Sequence, residues 1–166
     1  MEKMSWIKDL VLAEQEMEES GVIDFSAGFH PERVLQEATL EFMRDLKECF
    51  LNASSTFNEL KGSTLGHLKL YGISKTKADF MLFRNGFKLI FTIKQPGVIH
   101  IFFTNAGSAF MPGQNESQKE AHQPSDTLKA RWGAFGELKW TYKDHPISID
   151  HLVRYYMTRF IRESAK

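Results

Sequence analysis

The dipeptide Asn85-Gly86 lies between two segments in which apolar and polar residues alternate. A type I′ turn needs positive φ at both of its central positions, and Asn-Gly is a pair that tolerates this well. Residues 78–85 and 86–95 are therefore expected to form a β-hairpin. Because the connection is short, the two strands are expected to be antiparallel.

Alternation also predicts strands on both sides of this hairpin, at about residues 65–73, 98–105 and 134–142. The mostly apolar run 98–105 indicates a central strand that is covered on both faces. The intervening residues 106–130 are largely polar and contain Gly, Pro, Ser, Asn and Gln, so we expect a flexible loop there.

Apolar residues recur at intervals of three and four in three other segments, which predicts helices at residues 6–19, 31–52 and 149–163. Gly21 is the expected end of the first helix, and Ser148 is the expected N-cap of the last. The order of elements predicts an α+β fold in a single domain, residues 1–166. Its antiparallel sheet has about five strands, a meander of four plus one after the long loop. The two N-terminal helices and the C-terminal helix pack mainly on one face.

The composition is that of a globular domain, with 42% hydrophobic and 25% charged residues, and 14 phenylalanines favour a well-filled core. The single cysteine, Cys49, excludes a disulfide-stabilised secreted domain and a zinc site with paired cysteines. The first residues do not resemble a signal peptide, and no apolar stretch approaches the ~18 residues that span a bilayer. We therefore expect a cytoplasmic protein with no membrane span.

Charge is distributed unevenly, although the net charge is zero. Residues 1–60 contain five Lys or Arg and thirteen Asp or Glu, whereas residues 61–166 contain sixteen and eight. This asymmetry indicates either an anionic partner or acidic helices that pack beside a basic sheet. Between residues 61 and 95 the basic residues are Lys61, Lys69, Lys75, Lys77, Arg84, Lys88 and Lys94. The candidate anion-binding residues are Lys88 and Lys94 on the sheet and Arg154 and Arg159 on the last helix.

The sequence contains no Gly-rich phosphate-binding loop and no nucleophile elbow, and it predicts no catalytic residue, metal site or cofactor. A pocket between sheet and helices is a further possibility, with His100, Tyr71 and Trp140 as candidate ligand-binding residues. The first helix carries Trp6, Ile7, Leu10 and Val11 as a short apolar stripe. That stripe is explained either by self-association or an unknown protein partner, or by a helix that covers one end of the sheet.

Three classes of function remain open. The first is a non-catalytic binding or adaptor module that acts through protein contacts or through a small ligand held between sheet and helices. The second is an enzyme whose site is assembled from several strands and has no linear motif. The third is a nucleic-acid or phosphate binder that uses the basic sheet face, which we rank last because no RNA-binding signature occurs there. The absence of any catalytic motif favours the first class.

Overall fold

The computed structural model describes residues 4–23, 30–63, 65–73, 76, 78–104 and 123–165. The chain divides into two compact units, residues 1–35 and residues 36–166, and each is described by itself. The expectation of a single domain over the whole chain stays a prediction.

Three helices occur among the described residues, at the places that the sequence pattern predicts. They are α1 (Ser5–Ser20), α2 (Pro31–Lys61) and α3 (Ile149–Glu163). α1 ends at Gly21, which has a φ of 72° and donates its N–H to the carbonyl oxygen of Met17 over 2.8 Å. Ser148 is the N-cap of α3, where its hydroxyl accepts the backbone N–H of His151. Gly21 therefore ends α1 and Ser148 caps α3, as predicted.

α2 continues beyond residue 52, where its predicted end lies. Residues 52–56 read Asn-Ala-Ser-Ser-Thr, which has low helix propensity and so weakens the sequence signal. Tertiary packing overrides this preference, because the side chain of Phe57 lies against the core. The Asn58 side chain then exchanges two hydrogen bonds of 2.8 Å with the backbone of Leu68, which fixes the chain after the helix.

Seven strands of the described residues form one sheet, and every strand pairs antiparallel with its neighbours in the chain. They are β1 (Lys69–Gly72), β2 (Phe80–Arg84), β3 (Phe87–Gln95), β4 (Val98–Thr104), β5 (Asp126–Trp132), β6 (Leu138–Tyr142) and β7 (His145–Pro146). The α+β class and the antiparallel sheet are thus confirmed. The predicted number of about five strands is too low.

The two additional strands, β5 and β7, lie on either side of β6. β5 begins at Asp126, so residues 126–130 of the expected loop belong to the sheet, while residues 105–122 lie outside the described part of the chain. The polar segment before β5 hides its alternation in the sequence. β7 has only two residues and is paired because a tight turn folds it back on β6.

Two-residue turns connect β2 to β3 and β6 to β7. Asn85 and Gly86 have φ values of 51° and 83°, which confirms the predicted hairpin. Lys143 and Asp144 have φ values of 49° and 68° without any glycine. The carboxylate of Asp144 accepts a hydrogen bond of 2.5 Å from Arg131 of β5, which holds this less favourable turn against the sheet.

One face of the sheet, here called the core face, is covered by α2 and α3. The ring centroid of Phe91 on β3 lies 5.0 Å from that of Phe50 on α2 and 5.8 Å from that of Tyr156 on α3. Such tilted and edge-to-face contacts fix the positions of both helices on the strands. Among the described residues, the helical side chains of this core belong to α2 and α3, so the helix arrangement differs in detail from the predicted packing of three helices on one face. α1 has no buried residue.

Arg84 belongs to the core face rather than to a solvated basic face, and only 4% of it is exposed. Its Nε donates to the carbonyl of Gly66 at 2.8 Å, and its Nη1 donates to the carbonyl of Ile161 at 3.0 Å and to the Ser164 hydroxyl at 3.3 Å. Carbonyl oxygens near a helix C-terminus carry partial negative charge and suit a cation. Arg84 therefore ties β2 to the end of α3 and is unavailable to an anionic ligand.

Replacing Gly86 with Val is expected to lower the free energy of unfolding by about 1 kcal/mol or more, because a β-branched residue disfavours positive φ. Urea denaturation followed by circular dichroism measures this as a lower midpoint at unchanged slope. Gly86→Asn is the matched control and should cost less, since asparagine tolerates the left-handed conformation. Equal midpoints for all three proteins would contradict the turn.

Candidate functional site

A groove of about 690 Å³ lies between α3 and the end of the sheet formed by β5, β6 and β7. It arises because Ile147 and Ser148 connect β7 directly to α3, so the helix starts beside the strands and runs back over the core face. The groove is lined by Asp126, Leu128, Tyr142, Pro146, Ile147, Ser148, His151, Leu152, Tyr155 and Tyr156.

The carboxylate of Asp126 is the charged group of this groove. Its Oδ1 accepts the hydroxyl of Tyr142 at 2.7 Å, and its Oδ2 accepts the hydroxyl of Tyr156 at 2.5 Å. The strand pairing explains the bond between Asp126 and Tyr142. Leu128 is paired with Tyr142, and Asp126, two residues before Leu128, lies on the same face of the sheet. One carboxylate thus joins β5, β6 and α3.

Both tyrosines are held in the protonated form. Burial and the hydrogen bond to Asp126 raise the pKa of Tyr156, and the hydrogen bond to Asp126 together with burial raises the pKa of Tyr142. Hydrogen bonds to an ionised acceptor are stronger than neutral ones. Both oxygens of Asp126 are therefore occupied by hydrogen bonds within the protein, and much of the remaining groove surface is apolar or aromatic.

Ser148 and His151 supply the other polar atoms of the groove. The Ser148 hydroxyl lies 2.8 Å from Nδ1 of His151 and accepts its backbone N–H at 3.4 Å. These residues are three apart at the start of α3, which is the geometry of a helix N-cap. In a nucleophilic triad a carboxylate orients the histidine. Within the described residues, Asp126 instead bonds to Tyr142 and Tyr156.

A second depression, here called the basic depression, lies on α3 and shares His151 and Tyr155 with the groove. Its charged side chains include Arg159, whose Nε donates to Glu163 at 3.2 Å. The Arg159 guanidinium also lies 5.1 Å from the ring centroid of Phe103. The residues that line the depression are His151, Arg154, Tyr155, Thr158, Arg159, Arg162 and Glu163.

The three candidate ligand-binding residues do not lie together. Trp140 is on the core face, where its ring stacks on Phe42 with centroids 4.4 Å apart. His100 is on the opposite face, here called the outer face, where burial and the charge of Lys94 lower its pKa. Tyr71 is on β1 and 43% exposed. A ligand role for any of them stays a prediction, but Trp140 cannot share a pocket with the other two.

The candidate anion-binding residues form two separate pairs. Lys88 and Lys94 lie on the outer face of β3, whereas Arg154 and Arg159 lie on α3, which covers the core face. The sheet separates the pairs, and the two arginines line a common depression. Lys75 and Lys77, counted among the basic residues of the sequence, lie outside the described residues.

The apolar stripe of α1 is open to solvent. Trp6, Ile7, Leu10 and Val11 are 54%, 41%, 40% and 49% exposed. The helix has no buried residue, and an ion pair of 4.0 Å joins its Asp9 to Arg33 at the start of α2. The interaction role of the stripe stays a prediction.

The sequence pattern does not reveal the groove. Asp126 falls in the segment expected to be a loop, and Tyr142 and Tyr156 belong to a strand and a helix that nothing in the sequence connects. The alternation of Leu128, Ala130 and Trp132 with polar residues is the signal that predicts β5. It would also have placed Asp126 on the same face as Leu128.

Among the described residues, no cluster of His, Cys, Asp and Glu side chains is suited to hold a metal ion. Within the same ranges, no helix has the length and apolar character needed to cross a membrane. Comparisons with known proteins gave no matching family model, no matching curated protein and no matching solved structure. The function is therefore inferred from the geometry of this chain.

Asp126→Asn is expected to lower the free energy of unfolding by about 1–3 kcal/mol, because an amide replaces the charged acceptor of two hydrogen bonds. It should also lower the pKa of Tyr142 and Tyr156, which an absorbance titration of tyrosinate detects as earlier ionisation. Asp144→Asn is the matched control, since it removes an exposed carboxylate whose ion pair with Arg131 should contribute ~1 kcal/mol or less. Equal stability losses and identical tyrosine titrations would contradict the role of Asp126.

Proposed function

We propose that the protein is a non-catalytic binding module, and that the groove holds a small ligand with an apolar body between the sheet and α3. The observation that carries the proposal is that the one carboxylate among the groove residues is already hydrogen-bonded to two tyrosines. The apolar and aromatic surface left for a ligand belongs mainly to Pro146, Ile147 and Tyr155, because Leu128 and Leu152 are nearly buried. Such a surface binds by removing apolar area from water.

The size of the groove supports a small-molecule ligand. Its volume of about 690 Å³ lies within the range of roughly 300–1,000 Å³ that is usual for small-molecule sites. Tyr155 lines the groove and is nevertheless 60% exposed. A ligand that covers its ring would bury aromatic surface that the free protein leaves in water.

The two alternative classes find less support. For an enzyme, the contact between Ser148 and His151 belongs to the N-cap of α3, and the nearby carboxylate of Asp126 bonds to other groups. For a nucleic-acid binder on the sheet, the burial of Arg84 removes one of the cations counted in that region. Both classes therefore have less support than a ligand-binding module.

The neutral dye phenylnaphthylamine, whose fluorescence rises when it leaves water, tests the groove. Tyr155→Ala is expected to weaken binding of the dye to the full chain about tenfold, since a loss of ~1.4 kcal/mol of aromatic contact corresponds to that factor. Tyr71→Ala is the matched control, because it removes an exposed tyrosine from β1. Equal weakening by both changes, or no dye binding at all, would contradict the groove as the site.

A second candidate function, self-association through α1, is favoured by a different observation. This helix buries none of its residues and leaves the stripe of Trp6, Ile7, Leu10 and Val11 at least 40% exposed. Apolar side chains that remain exposed next to one another are typical of interaction surfaces. The acidic residues near the end of α1 would form a polar rim and oppose non-specific aggregation.

Changing Leu10 and Val11 together to Ser is expected to leave a folded monomer whose thermal midpoint equals that of the parent at dilutions at which the parent is dissociated, because both side chains are exposed in the single chain. The unaltered protein should sediment as a larger species at high concentration. A stability loss of several kcal/mol in the variant would instead indicate buried side chains. A parent protein that stays monomeric at high concentration would exclude self-association and leave only a heterologous partner.

A further inference from the structure

The groove and the basic depression adjoin each other on α3. His151 and Tyr155 line both of them. On one side of these two residues the walls are mainly apolar, and on the other side they carry three arginines. A ligand that lies in the groove and passes over Tyr155 would therefore reach a group of cations.

The basic depression has an excess of positive charge. Its three arginines are accompanied by one carboxylate, that of Glu163, which is bonded to Arg159. Arg154 and Arg162 are exposed and make no ion pair with any described residue. Guanidinium groups present several donors in a plane and bind carboxylate, sulfonate or phosphate groups through two parallel hydrogen bonds.

The Asp126 carboxylate interacts electrostatically with Arg159, but it lies outside the lining of the basic depression. Both of its oxygens already accept a tyrosine hydroxyl within the protein. Asp126 is a residue of β5 and does not line the basic depression, whose residues all belong to α3. An anionic group placed beside the arginines therefore meets cations before it meets this carboxylate.

The spacing along α3 indicates the size of the ligand. Leu152 in the groove and Arg159 in the depression are seven residues apart, which is roughly 10 Å along a helix axis. A small molecule of this length can therefore contact the apolar walls and an arginine at the same time. Its charged end would lie where the depression is exposed and its apolar end where the groove is lined by strands.

We propose that the groove binds an amphipathic organic anion. The apolar body lies against Pro146, Ile147 and Tyr155, over the nearly buried Leu128 and Leu152, and a carboxylate, sulfonate or phosphate group is held by Arg154 and Arg159. The inference rests on the proposed function, because it assigns a chemical class to the ligand of the same groove. The ligand is a single small molecule, since the groove volume of about 690 Å³ matches one molecule of that size.

Two dyes that share an aromatic body test this charge preference in the full chain. Anilinonaphthalene sulfonate carries a sulfonate group that phenylnaphthylamine lacks, and it is expected to bind about tenfold more tightly. Raising the salt concentration from about 0.05 to about 0.5 M should weaken binding of the anionic dye alone, because salt screens exposed charges.

The variant Arg154→Gln with Arg159→Gln should abolish the preference of about tenfold and leave binding of the neutral dye unchanged. The matched control, Lys88→Gln with Lys94→Gln, removes the same charge from the outer face and should keep the preference. Thermal melts of both variants establish that they are folded. A preference that survives in the arginine variant would overturn the proposal.

The remaining outcomes separate the two proposals. If both dyes bind equally and Tyr155→Ala weakens both, the groove is a ligand site but the anion proposal fails. If neither dye binds, both proposals fail. Competition identifies the source of the anion. Decanoate should displace the anionic dye. If vesicles of anionic phospholipid displace the dye and decanoate does not, the ligand is a membrane surface and the small-molecule proposal is wrong.

Discussion

The ring of Phe91 is the point at which the sheet and both helices of the second unit meet. It contacts Phe50 of α2, Phe80 of β2 and Tyr156 of α3. Because Tyr156 packs against this ring, its hydroxyl is directed to Asp126, and the edge of the groove is set by the same contacts that form the core. Most of the candidate site is therefore built on strands and a helix rather than on loops, which suits a preformed binding groove.

Local signals in the sequence predicted most of the fold. The apolar periodicity of α1, α2 and α3 places them within a few residues, except for the last nine residues of α2, and Asn85-Gly86 identifies the central hairpin. β5 and β7 were missed for different reasons. β5 follows a polar segment that resembles a loop, and β7 is too short to have a period and depends on its pairing with β6. Non-local pairing of this kind leaves little trace in a single sequence.

The candidate site could be predicted only in part. Arg154 and Arg159 were proposed from their charge on the last helix and line one depression, but their binding of an anion stays a prediction. The hydrogen bonds of Asp126 join residues that are 16 and 30 positions apart, so no local pattern connects them. For Arg84, the sequence indicates the wrong environment. Its charge alone indicates a solvated position, and only the carbonyl oxygens brought to it by folding explain its burial.

The burial of Arg84 and Ser164 also affects how easily different parts of the chain unfold locally. Helix ends commonly fray, yet the last turn of α3 is closed by the Arg84 guanidinium, by the fully buried Ser164 and by a bond from Asn85 to the Ser164 carbonyl. Amide protons there are expected to exchange with solvent only when a large part of the second unit opens. α1 has no buried side chain, so its amides are expected to exchange through small local fluctuations. α1 and α3 have similar lengths, but the amount of structure that must open before their amides reach solvent is expected to differ.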